Sequence, residues 1–318
     1  MQDKKIMFRA PTLLTRHPAN PIIAPKDFPH GPADVVFNPG QTSHDGKTVL
    51  LLSVMLRNQP FARTHVAESA DGVHFTIHPE PVFTRDPAKP FGEYDNHPID
   101  CRVTRIGDEY YVARPGNSEM GCVGLLYRTR DFRTFEPVDI IALPDNRVPS
   151  LFPEKIGGYY YRLDRPYNQG AASERAHIWL SRSPDLVHWG HHRFLMKGFT
   201  NWCWEKVGPT VPVKTEKGWL EIFHGVSSSC SVTSYSLGAM LLDLENPEKI
   251  IGRMQSYLLT AEEDYEFRGR CPGCVFATGA VADLKTRRLR VYYGAADTCI
   301  GLAEGDLDAV IDACLNGL

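Results

Sequence analysis

The sequence has no surplus of basic residues. Lys and Arg number 35 against 38 Asp and Glu, a net charge of −3. That balance argues against DNA or RNA as a partner, because a nucleic-acid backbone must be neutralised by cations. Long hydrophobic runs are also lacking. The most apolar stretch, Val49 to Leu56, is far too short to cross a bilayer. The start, Met1 to Arg9, has no apolar segment of signal-peptide length. A cytoplasmic chain without membrane association is therefore expected. Paired metal-ligand motifs are scarce as well. Of the 8 cysteines, Cys101, Cys122, Cys203, Cys230, Cys271, Cys274, Cys299 and Cys314, only Cys271 and Cys274 form a C-x-x-C. No second C-x-x-C or histidine pair completes a zinc site, and no βαβ pattern surrounds the motif as a redox pair would need. Two small residues at a turn is the simpler reading, with the thiols reduced. His97, His177, His188, His191 and His192 fall in loop or blade-surface contexts. No metal and no cofactor are expected.

What the sequence does have is enough apolar material for a core, 42% hydrophobic against 23% charged, which excludes wholesale disorder. It is also rich in turn formers, with 26 Gly and 24 Pro, above the usual combined share of about 12%. Spread evenly, they argue for many short strands. A polar or Gly turn followed by an aromatic or aliphatic strand recurs at Asp45-Gly46, Gly107-Asp108, Gly157-Gly158, Lys217-Gly218 and Thr286-Arg287. A second signal, Ser or Thr, an Asp turn and then an aromatic, follows at Ser69 to Phe75, Thr129 to Phe135 and Ser183 to Trp189. Looser copies lie at Leu242 to Pro247 and Glu304 to Asp308. Both signals keep one phase of roughly 60 residues. Five such units predict an all-β, five-bladed β-propeller, with a β-sandwich as the alternative. With no linker in the sequence, a single domain over 1–318 is expected. The spacing of Leu307, Val310, Ile311, Cys314 and Leu315 predicts a short C-terminal helix on the last blade.

A propeller delivers side chains from each blade to a central channel. The segments placed there carry few acids, Asp100 and Asp297, and several cations or hydrogen donors: Arg147, Arg165, Lys206, His224 and Tyr235. Donors of that kind, converging, suit a multiply charged oxyanion such as phosphate. Taken singly, each arginine is more simply an ion-paired blade residue. Trp202 and Trp204, just before Lys206, are either a stacking platform for a sugar or packing between blades.

The same segments resemble glycoside hydrolase family 130, the β-mannoside phosphorylases of the mannosyl-glucose and mannooligosaccharide type. Matching stretches include Asn20-Pro-Ile-Ile23, Asp100-x-Arg102-Val103, Asn146-Arg147, Leu151 to Ile156, Arg165-Pro166, Lys206-Val-Gly208, Gly218 to Val226 and Tyr292 to Asp297. The likeness runs from about Asn20 to the C-terminus in constant order. It implies a five-bladed propeller and an inverting phosphorolysis of a β-mannoside to α-mannose 1-phosphate and a shortened acceptor. It implies Asp100 as the catalytic acid, with its proton relayed through the mannosyl O3 hydroxyl. It implies Arg147, Arg165, Lys206, His224 and Tyr235 as phosphate-binding, and Asn38, Arg102 and Asp297 as substrate-binding. Inorganic phosphate would be the co-substrate, the partners would be small molecules only, and a homo-oligomer follows from family habit. An inverting β-mannosidase and a non-catalytic carbohydrate-binding propeller are the alternatives. The chain departs from the family on the sugar side. Cys101 stands where the family has proline, Ser53 where it has an arginine reaching the mannose, and Asn38-Pro39-Gly40 and the Ala113 to Glu119 segment are its own.

Overall fold

The recurring turns are the hairpins of five antiparallel sheets. The computed structural model describes residues 13–167, 176–229 and 232–317. Met1 to Arg9 and Cys230, read above from sequence, lie outside the described residues. Blade one holds Ala33–His44, Lys47–Leu56, Arg63–Ser69 and Thr76–Phe83. Blade two holds Arg102–Ile106, Glu109–Ser118, Gly121–Thr129 and Glu136–Ala142. Blade three holds Asn146–Leu151, Tyr160–Pro166, Ile178–Ser183 and Gly190–Met196. In blade four Lys206–Gly208 and Val213–Thr215 both pair with Gly218–Ser229, followed by Val232–Leu242 and Ile250–Arg253. Blade five sets Val275–Ala277 and Val281–Asp283 against Arg288–Ala295, followed by Cys299–Asp306. Its outer strand is Leu14–Arg16, with Leu14 opposite Gly305. The two ends of the chain thus share one sheet and close the ring, a propeller's answer to the exposed-edge problem.

The Asp turns work through their side chains. Asp71 Oδ1 accepts from the N–H groups of Val73 and His74, each at 2.8 Å, and Ser69 Oγ accepts from Gly72 N–H at 2.8 Å. Asp131 and Asp185 repeat this with the two N–H groups that follow, and Asp243 does so with Glu245 and Asn246. These bonds offer the backbone a local substitute for ladder pairing, which ends the third strand at a set point. The aromatic after the turn then crosses to a neighbour. Phe75 meets Tyr292 of blade five edge-on at 5.8 Å, and Phe135 lies 4.8 Å from Phe83 of blade one. The fifth copy departs from this pattern. Asp306 caps the C-terminal helix Leu307–Asn316, accepting from Ala309 N–H at 2.8 Å, because blade five takes its outer strand from the other end of the chain.

The apolar core is divided among the seams between blades. Leu163, Ile178 and Phe152 meet Trp219, Phe223 and Met240 between blades three and four, all buried. Val49, Leu51 and Phe83 meet Val112, Leu125 and Phe132 between blades one and two. The helix expected on the last blade packs there and also reaches blade four, with Val310, Ile311 and Cys314 in one cluster with Leu220, Leu241, Leu289 and Val291. No helix among the described residues is long and apolar enough to cross a membrane.

Ring closure has a polar lock. Glu266 is fully buried and accepts from Arg16 Nε at 2.8 Å and Nη2 at 2.9 Å, from Tyr293 Oη at 2.8 Å, and from the N–H groups of Glu262 and Glu263. Removing Arg16 leaves that carboxylate buried without its counter-charge, which typically costs about 3–5 kcal/mol. Arg16→Ala should therefore lose stability of that order in urea unfolding. A loss below about 1 kcal/mol, the worth of a surface pair, would mean that strand pairing alone closes the ring.

Candidate active site

Four blades bring a left-handed residue to the channel mouth: Asn38 at φ 43°, Asp100 at 57°, Val148 at 58° and Asp297 at 47°. Two of these arise from breaks in strand register. In blade one Phe37 faces Ser53 and Gly40 faces Leu51, so Asn38 and Pro39 together oppose Leu52. In blade three Arg147 faces Arg165 and Ser150 faces Leu163, so Val148 and Pro149 oppose Asp164. A bulge of this kind bends the strand and re-aims the side chain beside it. The Pro39-Gly40 pair thus belongs to the device that turns Asn38 inward. Backbone held in such regions costs free energy and persists where the surroundings over-determine it.

Asp100 is held from several sides. Its N–H donates to Ser53 Oγ at 3.1 Å, its carbonyl accepts from Arg102 Nη1 at 2.7 Å, and its Oδ1 accepts from Asn38 Nδ2 at 2.9 Å. Asn38 also acts on Asp297, favouring its charged form. Ser53 therefore positions the acid through its backbone, a role its sequence context did not signal. Arg102, expected against substrate, is fully buried behind Asp100, with Nε and Nη2 lacking a protein partner among the described residues. Burial lowers its guanidinium to about 10, so it stays charged at neutral pH. Cys101, in place of proline, is a core residue of the seam between blades one and two, its thiol pushed up to about 12 by burial. The unusual Ala113 to Glu119 segment also finds its reason here. Arg114, buried between Phe83 and Tyr127, grips both oxygens of Asp95, and Asn117 O accepts from Asn96 N–H at 2.8 Å. Together they clamp the loop that leads into Asp100.

The cations form a second group. Arg165 Nη1 lies 2.7 Å from His224 Nε2, and Lys206 Nζ donates to Tyr235 Oη at 2.8 Å. Arg147 is the cross-strand neighbour of Arg165 and is exposed. His224 is fully buried, and burial together with Arg165, Arg102 and Lys206 holds its imidazole well below the ordinary value, so it is neutral. With arginine donating to Nε2, its proton sits on Nδ1. Burial, then Arg165, lowers Lys206 to about 8. Lys206–Gly208 can lie against this pair because Gly208 has no side chain. A Cβ there would fall 2.5 Å from the His224 ring and 2.8 Å from Arg165 Nη1. Gly294 similarly leaves room for Asn38, whose Oδ1 would lie 2.0 Å from a Cβ there.

Asp297 is raised to about 6 by burial and by the nearby Asp100 charge. Arg270, which the sequence reading missed, acts electrostatically on Asp297 and on His97, and it borders a cleft of about 820 Å³ with Met55, Asn58, Pro60 and Thr298. No motif announces it. Trp202 is a packing residue, stacked on Phe223 at 5.7 Å with its indole N–H on Gln255 O, whereas Trp204 is exposed. The arrangement as a whole offers one carboxyl held at the mouth, a second beside it, and a group of donors with too few anions. It suits a tetrahedral oxyanion set opposite a neutral, hydroxyl-rich ligand.

Comparison with known proteins agrees with that chemistry. A family model described as β-1,4-mannooligosaccharide phosphorylase, glycoside hydrolase family 130, matches residues 16–316. The chain is 32% identical over 309 residues to a β-1,4-mannooligosaccharide phosphorylase of Ruminococcus albus, covering 94% of this chain and 90% of that protein. It is 39% identical over 250 residues to a β-1,2-mannobiose phosphorylase of Listeria innocua, covering 77% and 67%. A solved structure of a Listeria innocua β-1,2-mannobiose phosphorylase with β-1,2-mannobiose superposes with a TM-score of 0.84 at 30% identity, over 95% of this chain and 99% of that one.

The cation group makes a prediction that needs no turnover. Inorganic phosphate at about 100 times its Kd should add about 2.7 kcal/mol to the unfolding free energy, with a matching rise in melting temperature. Gly208→Ala, which drives a methyl into the Arg165–His224 pair, and Lys206→Ala should each lose most of that gain. Equal stabilisation of wild type and both variants would place the anion elsewhere.

Proposed function

The chain belongs to glycoside hydrolase family 130, and we propose that it cleaves a β-mannoside by inverting phosphorolysis, giving α-mannose 1-phosphate and a shortened acceptor. The observation that carries this reading is an asymmetry. An inverting hydrolase needs an acid for the leaving oxygen and a second carboxylate to activate water on the opposite face. Here the second carboxyl, Asp297, lies close to Asp100, and the remaining polar groups are the donors Arg165, Lys206, His224, Tyr235 and Arg147. Phosphate is already an anion and needs no base. Held in line by these groups, it attacks C1 of the mannosyl unit as the acceptor oxygen departs. Fixing the nucleophile removes much of the entropic barrier to a two-substrate step, and the donors meet its charge without reorganising.

Asp100 supplies the proton to the departing oxygen, relayed through the mannosyl O3 hydroxyl. Asn38 and Asp297 hold sugar hydroxyls beside it, and Arg102 holds the backbone of Asp100 in place. The cleft bordered by Met55, Asn58 and Arg270 takes the acceptor side. The seven cysteines among the described residues are free thiols, which suits a reducing cytoplasm.

Two charge states define the working pH range. Asp297 is ionised above about 6 and Lys206 is charged below about 8. The kcat/KM of the free enzyme should fall as pH drops through the first value and as it rises through the second. Lys206→Arg, always charged, should extend activity on the alkaline side, and phosphate's own ionisation is common to both enzymes. Identical alkaline limbs would remove Lys206 from the phosphate site. The reaction itself is tested by product analysis. β-Mannobiose with phosphate should yield mannose 1-phosphate, and Asp100→Asn should lower the rate by at least about 100-fold. Cleavage at full rate without phosphate would mean a hydrolase. Binding without turnover would mean a carbohydrate-binding propeller.

A further inference from the structure

The one C-x-x-C of the chain is a tight turn beside the sugar side of the site. Cys274 N–H donates to Cys271 O at 3.2 Å, and Gly273 has φ 79°. Proline then glycine at the centre of such a turn is the type II pattern. Two backbone bonds fasten this turn to the segment that bears Asp297. Cys271 N–H donates to Ala296 O at 3.0 Å, and Ala296 N–H donates to Cys274 O at 2.9 Å. Asp297 follows in its own left-handed conformation. As a result, one ligand atom from each of Cys271, Cys274 and Asp297 lies within 4.8 Å of the others, with Cys274 Sγ 3.8 Å from Asp297 Oδ1. The sequence shows no third ligand because Asp297 is remote from the turn in the chain.

We propose that Cys271, Cys274 and Asp297 form a binding site for one thiophilic divalent cation of the zinc class, and that its occupancy withdraws Asp297 from the sugar. Two thiolates bound to one zinc ion, each at about 2.3 Å, stand about 3.8 Å apart in tetrahedral geometry. Small side-chain rotations bring the three atoms to that spacing, and the backbone bonds between the two segments hold the frame. Two sulfurs with one carboxylate select zinc, cadmium or cobalt and disfavour magnesium and calcium, which take oxygen ligands. Cys274 is buried, but Cys271 and Asp297 are partly exposed, so an ion can enter and leave. Three protein ligands leave a fourth position for water, as in reversible sites and unlike closed structural ones. The second half of the proposal rests on the reading of Asp297 as a sugar contact.

The test is a Co2+ titration of metal-free protein kept reduced by a phosphine. One equivalent should bind, giving tetrahedral ligand-field bands and a thiolate-to-cobalt charge-transfer band that Zn2+ abolishes. Cys271→Ser, which loses a direct ligand, should weaken binding by at least about 100-fold, since even outer-shell losses cost 10–100-fold. It should keep the metal-free turnover rate. Stoichiometric Zn2+ should stop wild-type turnover, a chelator should restore it, and Cys271→Ser should be indifferent to both. No charge-transfer band, or an unchanged band in Cys271→Ser, would overturn the site. A site that fills while turnover continues would overturn its coupling to the sugar and Asp297's role there. A metal-free protein without phosphorolysis would overturn the proposed function, and the cobalt spectrum would still decide the site.

Discussion

The structure turns on positive charge buried with too little negative charge to meet it. Arg102 and Arg165 are buried, Lys206 is half-buried, and each is shifted toward its neutral form, first by lost hydration. Protein acids elsewhere in the blades are spent on their own arginines, Asp95 on Arg114 and Asp164 on Arg162. Unpaired cations in a partly dry site are a standing cost. Under the proposed phosphorolysis, an oxyanion bound there would offset that cost, and the relief would contribute to its binding. The neutral His224 fits the same logic, because burial first, and then Arg165, Arg102 and Lys206, disfavour a charge on it.

A scaffold that tolerates this must be stiff, and the propeller is stiff at its seams. Each blade buries an apolar face on its neighbours, and Arg16 ties the outer strand of blade five to the buried Glu266. Against that frame the inner strands can carry local strain. Bulges at Asn38-Pro39 and at Val148-Pro149 break ladder pairing where side chains must change direction. Gly208 and Gly294 admit the close approach that those directions require. Stability gained between blades thus supports conformational strain at the channel mouth.

The blade count was legible because turn chemistry is local. Asp71, Asp131 and Asp185 bond the backbone within three residues of themselves, so their effect is written in consecutive letters. The cation group was legible as composition, and the family resemblance ordered it. Long-range pairings were not. The strand Leu14–Arg16 gives no sign of belonging to blade five, and Asp306 looks like a fifth Asp turn although it caps a helix. Arg102 reads as a substrate contact beside Asp100, whereas the fold buries it and bonds it to the Asp100 carbonyl, a tertiary arrangement the sequence does not display. Ser53, Arg270 and the Asp95–Arg114 clamp act only through tertiary neighbours, which no spacing rule displays.

The central claim is that one acid and one anion site suffice, with no base to activate water. The anomeric configuration of the first product tests this directly. Proton and phosphorus NMR should follow β-mannobiose as it is consumed in phosphate buffer. Direct attack by phosphate from the face opposite the leaving oxygen requires the α-anomer of mannose 1-phosphate from the earliest time point, with one free sugar released per phosphate taken up. Early appearance of the β-anomer would demand a covalent two-step route, and two free sugars per cleavage would demand water as nucleophile. Either result would contradict the account.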